Sequence, residues 1–263
     1  MFKALIGGFT ELTKKPSYMI PSLAGMIASL IVLVLTIESY FNVFYNSLIL
    51  EETPQSSLIE FPFHMVSFYG ADLIVIGLAT FISIGISFYM IYVYASLLKD
   101  KEKSAIKAFT KNLKKTSEII WLTFFVFVGL FLYLVIAYAL FVASVTYEGL
   151  GIITFLLFLA WLIIGFIAYL NLIFTPVIMA VEKKKLKPAL KASWQWSKKR
   201  IIGIAIFIAV LGFITGLVGT IFSVIGESVG IEELGVLILL IGLGFTNAYY
   251  NITFIKFYLN HRQ

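Results

Sequence analysis

Cysteine is absent from this chain, which excludes disulfides and thiolate metal sites. Histidine is nearly absent, with His64 and His261 far apart in sequence. Clustered His, Asp or Glu at metal-ligand spacing does not occur, and neither a Gly-rich phosphate loop nor a Ser nucleophile elbow is present. No enzyme activity, metal or cofactor is therefore expected. Charge is also scarce: 13% of the 263 residues are Asp, Glu, Lys or Arg, against 60% hydrophobic. A soluble domain of this length needs more charge to cover its surface.

What charge there is leaves six uncharged runs, 16–37, 73–98, 119–147, 149–181, 201–226 and 234–255. Even the shortest, 22 residues, reaches about 33 Å as a helix, enough for a hydrocarbon core about 30 Å thick. The runs lack the period-two polar alternation of an outer-membrane barrel strand. The expected fold is therefore an all-α integral membrane protein, a single polytopic domain over 1–263. Its six transmembrane helices are expected at about 18–43, 73–98, 119–145, 150–181, 201–225 and 234–258. The opening stretch, MFKALIGGFTELTKKPSYMIPSL, offers no short apolar core followed by a cleavage site, so no leader is expected to be removed.

The 20 basic residues fall entirely on alternate connections. They occupy the N-terminus, the segment from Lys99 to Lys115, the segment from Lys183 to Arg200, and Lys256 and Arg262 at the C-terminal end. The intervening connections carry only acids: Glu51, Glu52, Glu60, Asp72, Glu148, Glu227, Glu232 and Glu233. By the positive-inside rule, both termini are expected in the cytoplasm of a multi-pass cell-membrane protein. His64 and His261 would then lie on opposite sides.

Three basic segments carry helical periodicity. Phe2, Leu5, Ile6, Phe9 and Leu12 trace an apolar face at the N-terminus; Ile106, Phe109 and Leu113 do so in SAIKAFTKNLKK. In VEKKKLKPALKASWQWSKKR, Leu186, Leu190, Trp194 and Ser197 share a stripe, and Pro188 suits a first helical turn. Short, basic and amphipathic helices, at about 2–13, 103–115 and 187–199, are expected to lie in the cytoplasmic interface, lysines toward anionic headgroups. Lys114, Lys115, Trp194, Lys198, Lys199 and Arg200 are the candidate lipid contacts. The alternative is a set of polar loops whose lysines only fix topology. Each segment runs through a Lys-Lys pair, at 14–15, 114–115 and 198–199, into a span. Three repeated units of interfacial helix plus hairpin are expected.

Residues 171–204, NLIFTPVIMAVEKKKLKPALKASWQWSKKRIIGI, resemble a signature in a loose superfamily of six-span prokaryotic membrane proteins. It includes the membrane domain of some glycerophosphodiester phosphodiesterases. The shared pattern is a span ending in Pro, an acid, a turn, an Ala-led helix with a Ser and an aromatic, and a basic pair. Pro176, Glu182, Ala189, Ser193, Trp194, Lys198 and Lys199 hold those places. Where a small residue such as Gly is usual after the acid, this chain has Lys183 to Lys185. The resemblance implies a six-span fold and a cell-membrane location, and it carries over no activity.

Polar residues inside spans are costly in hydrocarbon and so mark places to look. Asn247 and Asn251 share a face of the sixth span, and Asn171 and Thr175 lie in the fourth, just before Pro176. These four form a candidate intramembrane pocket opening toward the cytoplasm; interhelical packing is the plainer reading. Glu38 and Asp72 are read as interfacial, and Trp161 as packing. Gly212, Gly216, Gly219, Gly235, Gly242 and Gly244 are read as permitting close helix approach. FPFHMVSFY, at the end of the 45–70 connection, is amphipathic enough to lie on the outer interface.

The function expected is that of a non-enzymatic membrane component that interacts with lipid or protein. Its partners would be anionic lipid on the cytoplasmic face and possible protein partners, and not nucleic acid. The alternative is a small transporter or channel.

Overall fold

A computed structural model describes residues 1–50, 61–102, 104–146 and 151–262, with side chains over 1–45, 66–102, 104–146 and 151–262. Every regular element among them is helical. They are α1 (Phe2–Lys14), α2 (Met19–Leu50), α3 (Phe61–Leu98), α4 (Ala105–Leu113), α5 (Thr116–Thr146), α6 (Gly151–Leu172), α7 (Thr175–Glu182), α8 (Leu186–Ser197), α9 (Ile201–Ser228) and α10 (Glu232–His261), with a 3₁₀ turn at Pro16–Tyr18. The segment expected at the outer interface falls partly outside the described residues. Its FPFHMVSFY stretch forms the first turns of α3, which kinks at Tyr69 (φ −122°, ψ 18°).

Six helical stretches are long and apolar enough to cross a membrane: Pro16–Tyr45, Val66–Leu98, Thr116–Thr146, Gly151–Glu182, Ile201–Ser228 and Glu232–His261. This is the architecture of a multi-pass membrane protein. A helix closes its own backbone hydrogen bonds, and hydrocarbon offers none in exchange. Side chains such as Leu35, Phe131, Ile163 and Phe213 are accordingly left exposed on the long helices. The fourth span is interrupted between α6 and α7. Pro176 has no N–H for the Leu172 carbonyl and its ring crowds that position. The chain therefore turns at Ile173 and Phe174 before α7 resumes.

Two compact units emerge: Ser29–Gly85 with Thr123–Ala168, and Met1–Ala28 with Ile86–Leu122 and Tyr169–Gln263. In the former, Phe81 meets Phe127 edge-on at 5.8 Å. Trp161 stacks on Tyr133 at 5.6 Å and donates its indole N–H to the Tyr133 carbonyl at 3.1 Å. Gly165 leaves the room that the Tyr133 ring fills.

In the other unit α9 packs on α10, and the two backbones come close at Gly226 and Gly235. A Cβ on Gly226 would lie 2.8 Å from the Gly235 carbonyl oxygen, and one on Gly235 would lie 2.6 Å from that of Gly226. Gly242 makes room for Phe222 and Gly244 for Leu23. Gly212, Gly216 and Gly219 differ from the expectation. Among the described residues, and apart from their own turns of α9, no atom lies within 4 Å of a Cβ built on any of them, so this stripe borders open space.

Candidate functional site

Three short helices, α1, α4 and α8, carry or adjoin most of the basic residues, and each is bonded to a long helix. On α1, the Leu5 carbonyl accepts from the Tyr249 hydroxyl of α10 at 3.3 Å. Lys256 Nζ of α10 donates to the Gly7 carbonyl at 2.9 Å and meets Glu11 at 3.3 Å. On α4, the Phe109 carbonyl accepts from the Tyr89 hydroxyl of α3 at 2.6 Å, and Asn112 Nδ2 donates to Ser96 Oγ at 2.9 Å. On α8, Ser193 Oγ donates to the Asn171 carbonyl of α6 at 2.7 Å. These bonds hold each short helix by small buried residues: Ala4 and Gly8 on α1, Ala105 and Ala108 on α4, Ala189, Ser193 and Ser197 on α8. Without bulky side chains between them, helix backbones approach closely.

This packing divides the apolar faces expected from periodicity. Leu5 and Leu12 turn into the protein, whereas Phe2, Ile6 and Phe9 stay exposed. On α4, Ile106 and Leu113 are exposed; on α8, Ser197 is buried and Trp194 is exposed. Phe2 keeps 71% of its surface accessible and Ile106 70%, far more than a residue serving an internal core.

Beneath α8 lies an aromatic cluster built around the α6–α7 break. Phe174, fully buried, stacks on Phe254 at 4.4 Å and meets Trp196 edge-on at 4.8 Å. Phe207 stacks on Phe257 at 3.9 Å. The Trp196 indole N–H donates to the His261 carbonyl at 2.9 Å, tying α8 to the end of α10. At the end of α7, Glu182 accepts from the Tyr258 hydroxyl and pairs with Lys184 at 2.7 Å. Lys99 Nζ, just past α3, donates to the Val181 carbonyl.

The turns that lead into α4 and α8 share a feature that spacing alone did not signal. Lys101 (φ 53°) and Lys183 (φ 56°) are both left-handed, and each follows an acid, Asp100 and Glu182 respectively. Asp100 is bonded to Lys111 Nζ at 2.8 Å, and Glu102 to the same nitrogen at 2.9 Å. The Lys111 hydrogen bond holds the Asp100 carboxyl below its ordinary range, and Asp100 and Glu102 together raise the Lys111 ammonium.

The candidate lipid contacts are placed unevenly. Lys114, Lys198 and Lys199 are exposed, as is Trp194. Lys115 pairs with Glu118 at 2.7 Å. Arg200 is drawn onto Trp196, with its guanidinium 5.2 Å from the ring and an N–H on the Trp196 carbonyl at 3.2 Å.

The four candidate pocket residues sit in different surroundings. Asn171 and Thr175 are buried, Asn171 beside Ser193. Asn251 donates to the side-chain and backbone oxygens of Asn247 at 2.8 and 2.9 Å. Asn247 lines an open groove of about 550 Å³ with Thr215, Thr246 and Tyr250 over the glycine stripe of α9. Among the described residues, no three His, Asp or Glu come together as metal ligands. Compared with known protein families, with curated proteins and with solved structures, the chain matches none.

Proposed function

We propose that this protein is a non-enzymatic, multi-pass component of a prokaryotic cell membrane whose basic side engages anionic lipid. The observation that carries this reading is the division of α1, α4 and α8. Their small residues are buried against the long helices, while Phe2, Ile6, Phe9, Ile106, Leu113 and Trp194 remain exposed on the same helices that bear or adjoin the lysines. Large apolar side chains beside ammonium groups suit the boundary between acyl chains and negatively charged headgroups.

The positive-inside rule puts that side, and both termini, in the cytoplasm. A threefold internal repeat is part of the same reading. Supporting it, α4 is bonded to α3, α8 to α6, and α1 to α10, so each short helix meets the second long helix of a hairpin, α4 and α8 that of the one just before them and α1 that of the last. The acid followed by a left-handed lysine before α4 and again before α8 supports it too. The resemblance of residues 171–204 to a six-span prokaryotic superfamily agrees with this placement.

The test uses nanodiscs containing lipid brominated on the upper acyl chain. The fluorescence quenched in the protein but not in Trp194→Phe isolates Trp194 from the other three tryptophans. Strong quenching that grows with anionic lipid content is expected; a Trp194 signal indifferent to bromine and to lipid charge would overturn the reading.

A second reading, a small transporter, is favoured by one observation, the open groove over the α9 glycines whose lining includes Thr215, Thr246, Asn247 and Tyr250. Under it, Asn247→Leu with Asn251→Leu abolishes flux and spares the fold; retained flux removes those residues from the path.

A further inference from the structure

A cleft of about 450 Å³ opens where α1 passes into α2, lined by Lys14, Lys15, Pro16, Ser17, Tyr18, Lys101 and Glu102. Three lysines from two distant segments line it. Its one acid, Glu102, is already bonded to Lys111 at 2.9 Å, so the space between the lysines is left positive. Lys15 is oriented by Tyr18, with Nζ 3.2 Å from the hydroxyl and 5.2 Å from the ring centre. Tyr18 is itself fixed. Its hydroxyl donates to the Leu97 carbonyl at 3.4 Å, and its carbonyl accepts from the Tyr94 hydroxyl at 2.8 Å, while Tyr94 also meets Ser22 at 2.6 Å. These bonds join the start of α2 to the end of α3. Lys101 is held on its side of the cleft by a left-handed turn, φ 53°, that the Glu102 N–H secures on the Ser96 carbonyl at 3.3 Å.

Ser17 completes the lining. It is exposed within the 3₁₀ turn Pro16–Tyr18 that joins α1 to α2. At the second Lys-Lys junction, by contrast, Lys115 is neutralised by Glu118. We propose that this first junction is a binding site for a phosphate ester, with Lys14, Lys15 and Lys101 neutralising the phosphate and Ser17 donating to one of its oxygens. Multiple ammonium donors around a neutral hydroxyl match a tetrahedral dianion or monoanion better than a planar carboxylate clasped by one fork. The cleft admits a phosphorylated headgroup or a small free phosphate ester, and the exposed Phe2, Ile6 and Phe9 on α1 favour the headgroup. In that form the inference rests on the lipid reading above.

The experiment compares the protein with two variants. One combines Lys14→Gln, Lys15→Gln and Lys101→Gly, the glycine keeping the left-handed turn. The other is Lys198→Gln with Lys199→Gln. Each is reconstituted in nanodiscs mixing phosphatidylglycerol with phosphatidylcholine and released for native mass spectrometry, and each is titrated in detergent with glycerol 3-phosphate and with glycerol. Thermal midpoints establish that all are folded, and Lys14→Gln alone serves if the triple variant is not. Expected is one retained phosphatidylglycerol whose occupancy falls at least about tenfold in the cleft variant, as loss of a charge-assisted bond implies, and persists in the α8 variant. Binding of glycerol 3-phosphate but not glycerol, lost in the cleft variant, also upholds the site and assigns it a soluble ester. If anionic lipid is lost only in the α8 variant, the lipid reading stands and the cleft is overturned. If the parent retains no anionic lipid and binds no glycerol 3-phosphate, both fall.

Discussion

Gly8 of α1 rests directly against Thr253 of α10: a Cβ at Gly8 would overlap the Thr253 hydroxyl and lie 3.1 Å from its Cβ. The adjacent Gly7 has its nearest neighbour, the flexible Lys256 side chain, at 3.4 Å. Gly8→Ala therefore forces α1 away from α10 and destabilises by about 1–3 kcal/mol. Gly7→Ala gains helix propensity instead and is neutral to stabilising by about 0.5–1 kcal/mol. Thermal midpoints of the two variants in one detergent check this. Equal effects would show that α1 does not dock by Gly8.

Lys183 stands left-handed at φ 56°, a conformation that costs a β-branched side chain most. Lys183→Gly is expected to be neutral or mildly stabilising, since relief of strain offsets the entropy glycine adds to the unfolded chain. Lys183→Ile is expected to destabilise by about 1–3 kcal/mol. The same ordering is expected at Lys101, where φ is 53°. Stability ranks from thermal melts decide it, and an Ile variant as stable as the Gly variant would contradict the turn geometry.

The Asp100–Lys111 pair sets a pH dependence. Asp100 has its carboxyl lowered by the Lys111 hydrogen bond, so its contribution is full above the unfolded carboxyl value. It is lost as pH falls through the lower folded value. Lys111 is raised, so its contribution is full below its unfolded value and is lost only as strongly alkaline pH passes the folded one. Both groups are partly exposed, and the pair is worth at most about 1 kcal/mol. Asp100→Asn should lower the thermal midpoint slightly at pH 7, with the gap to the parent closing below about pH 4. A gap unchanged by acid would show that the charge pair contributes little.

Phe174 and Phe213 test core against lipid-facing surface. Phe174 is fully buried among aromatic rings, whereas Phe213 is 72% exposed. Phe174→Ala is expected to cost about 3–5 kcal/mol, detected as loss of folded protein on mild heating in detergent. Phe213→Ala should leave the midpoint within about 0.5 kcal/mol equivalent.

Because the chain has no cysteine, the proposed orientation can be read with single introduced thiols. An impermeant maleimide applied to intact cells should label Ser228→Cys, and should label Lys107→Cys only after the membrane is opened. The reverse pattern would invert the topology and with it the choice of leaflet for the basic side.

The six long helices were legible from hydropathy alone, because a span is specified by local composition: an uncharged run long enough to cross and a backbone with no other way to satisfy itself. Charge asymmetry and the Lys-Lys pairs were legible for the same reason, each being a property of a short contiguous segment. The inward face of the short helices was not. Periodicity weights large apolar residues, so Phe2, Leu5, Ile6, Phe9 and Leu12 read as one face, while docking is governed by Gly8, Ala108 and Ser193, which hydropathy scarcely registers. Asn247, Asn251, Asn171 and Thr175 stood out as polar in apolar runs, yet only packing separates the groove-lining Asn247 from the buried Asn171 and Thr175. Likewise, Lys14 and Lys15 are visible as a pair, but their convergence with Lys101 depends on Tyr18 reaching the Leu97 carbonyl. Composition along the chain decided which segments are helices and which ends are basic. Contacts between residues distant in sequence decided which faces close on the protein and which are left for lipid, because docking depends on side-chain volume and hydrogen-bond geometry at a meeting point no single segment contains.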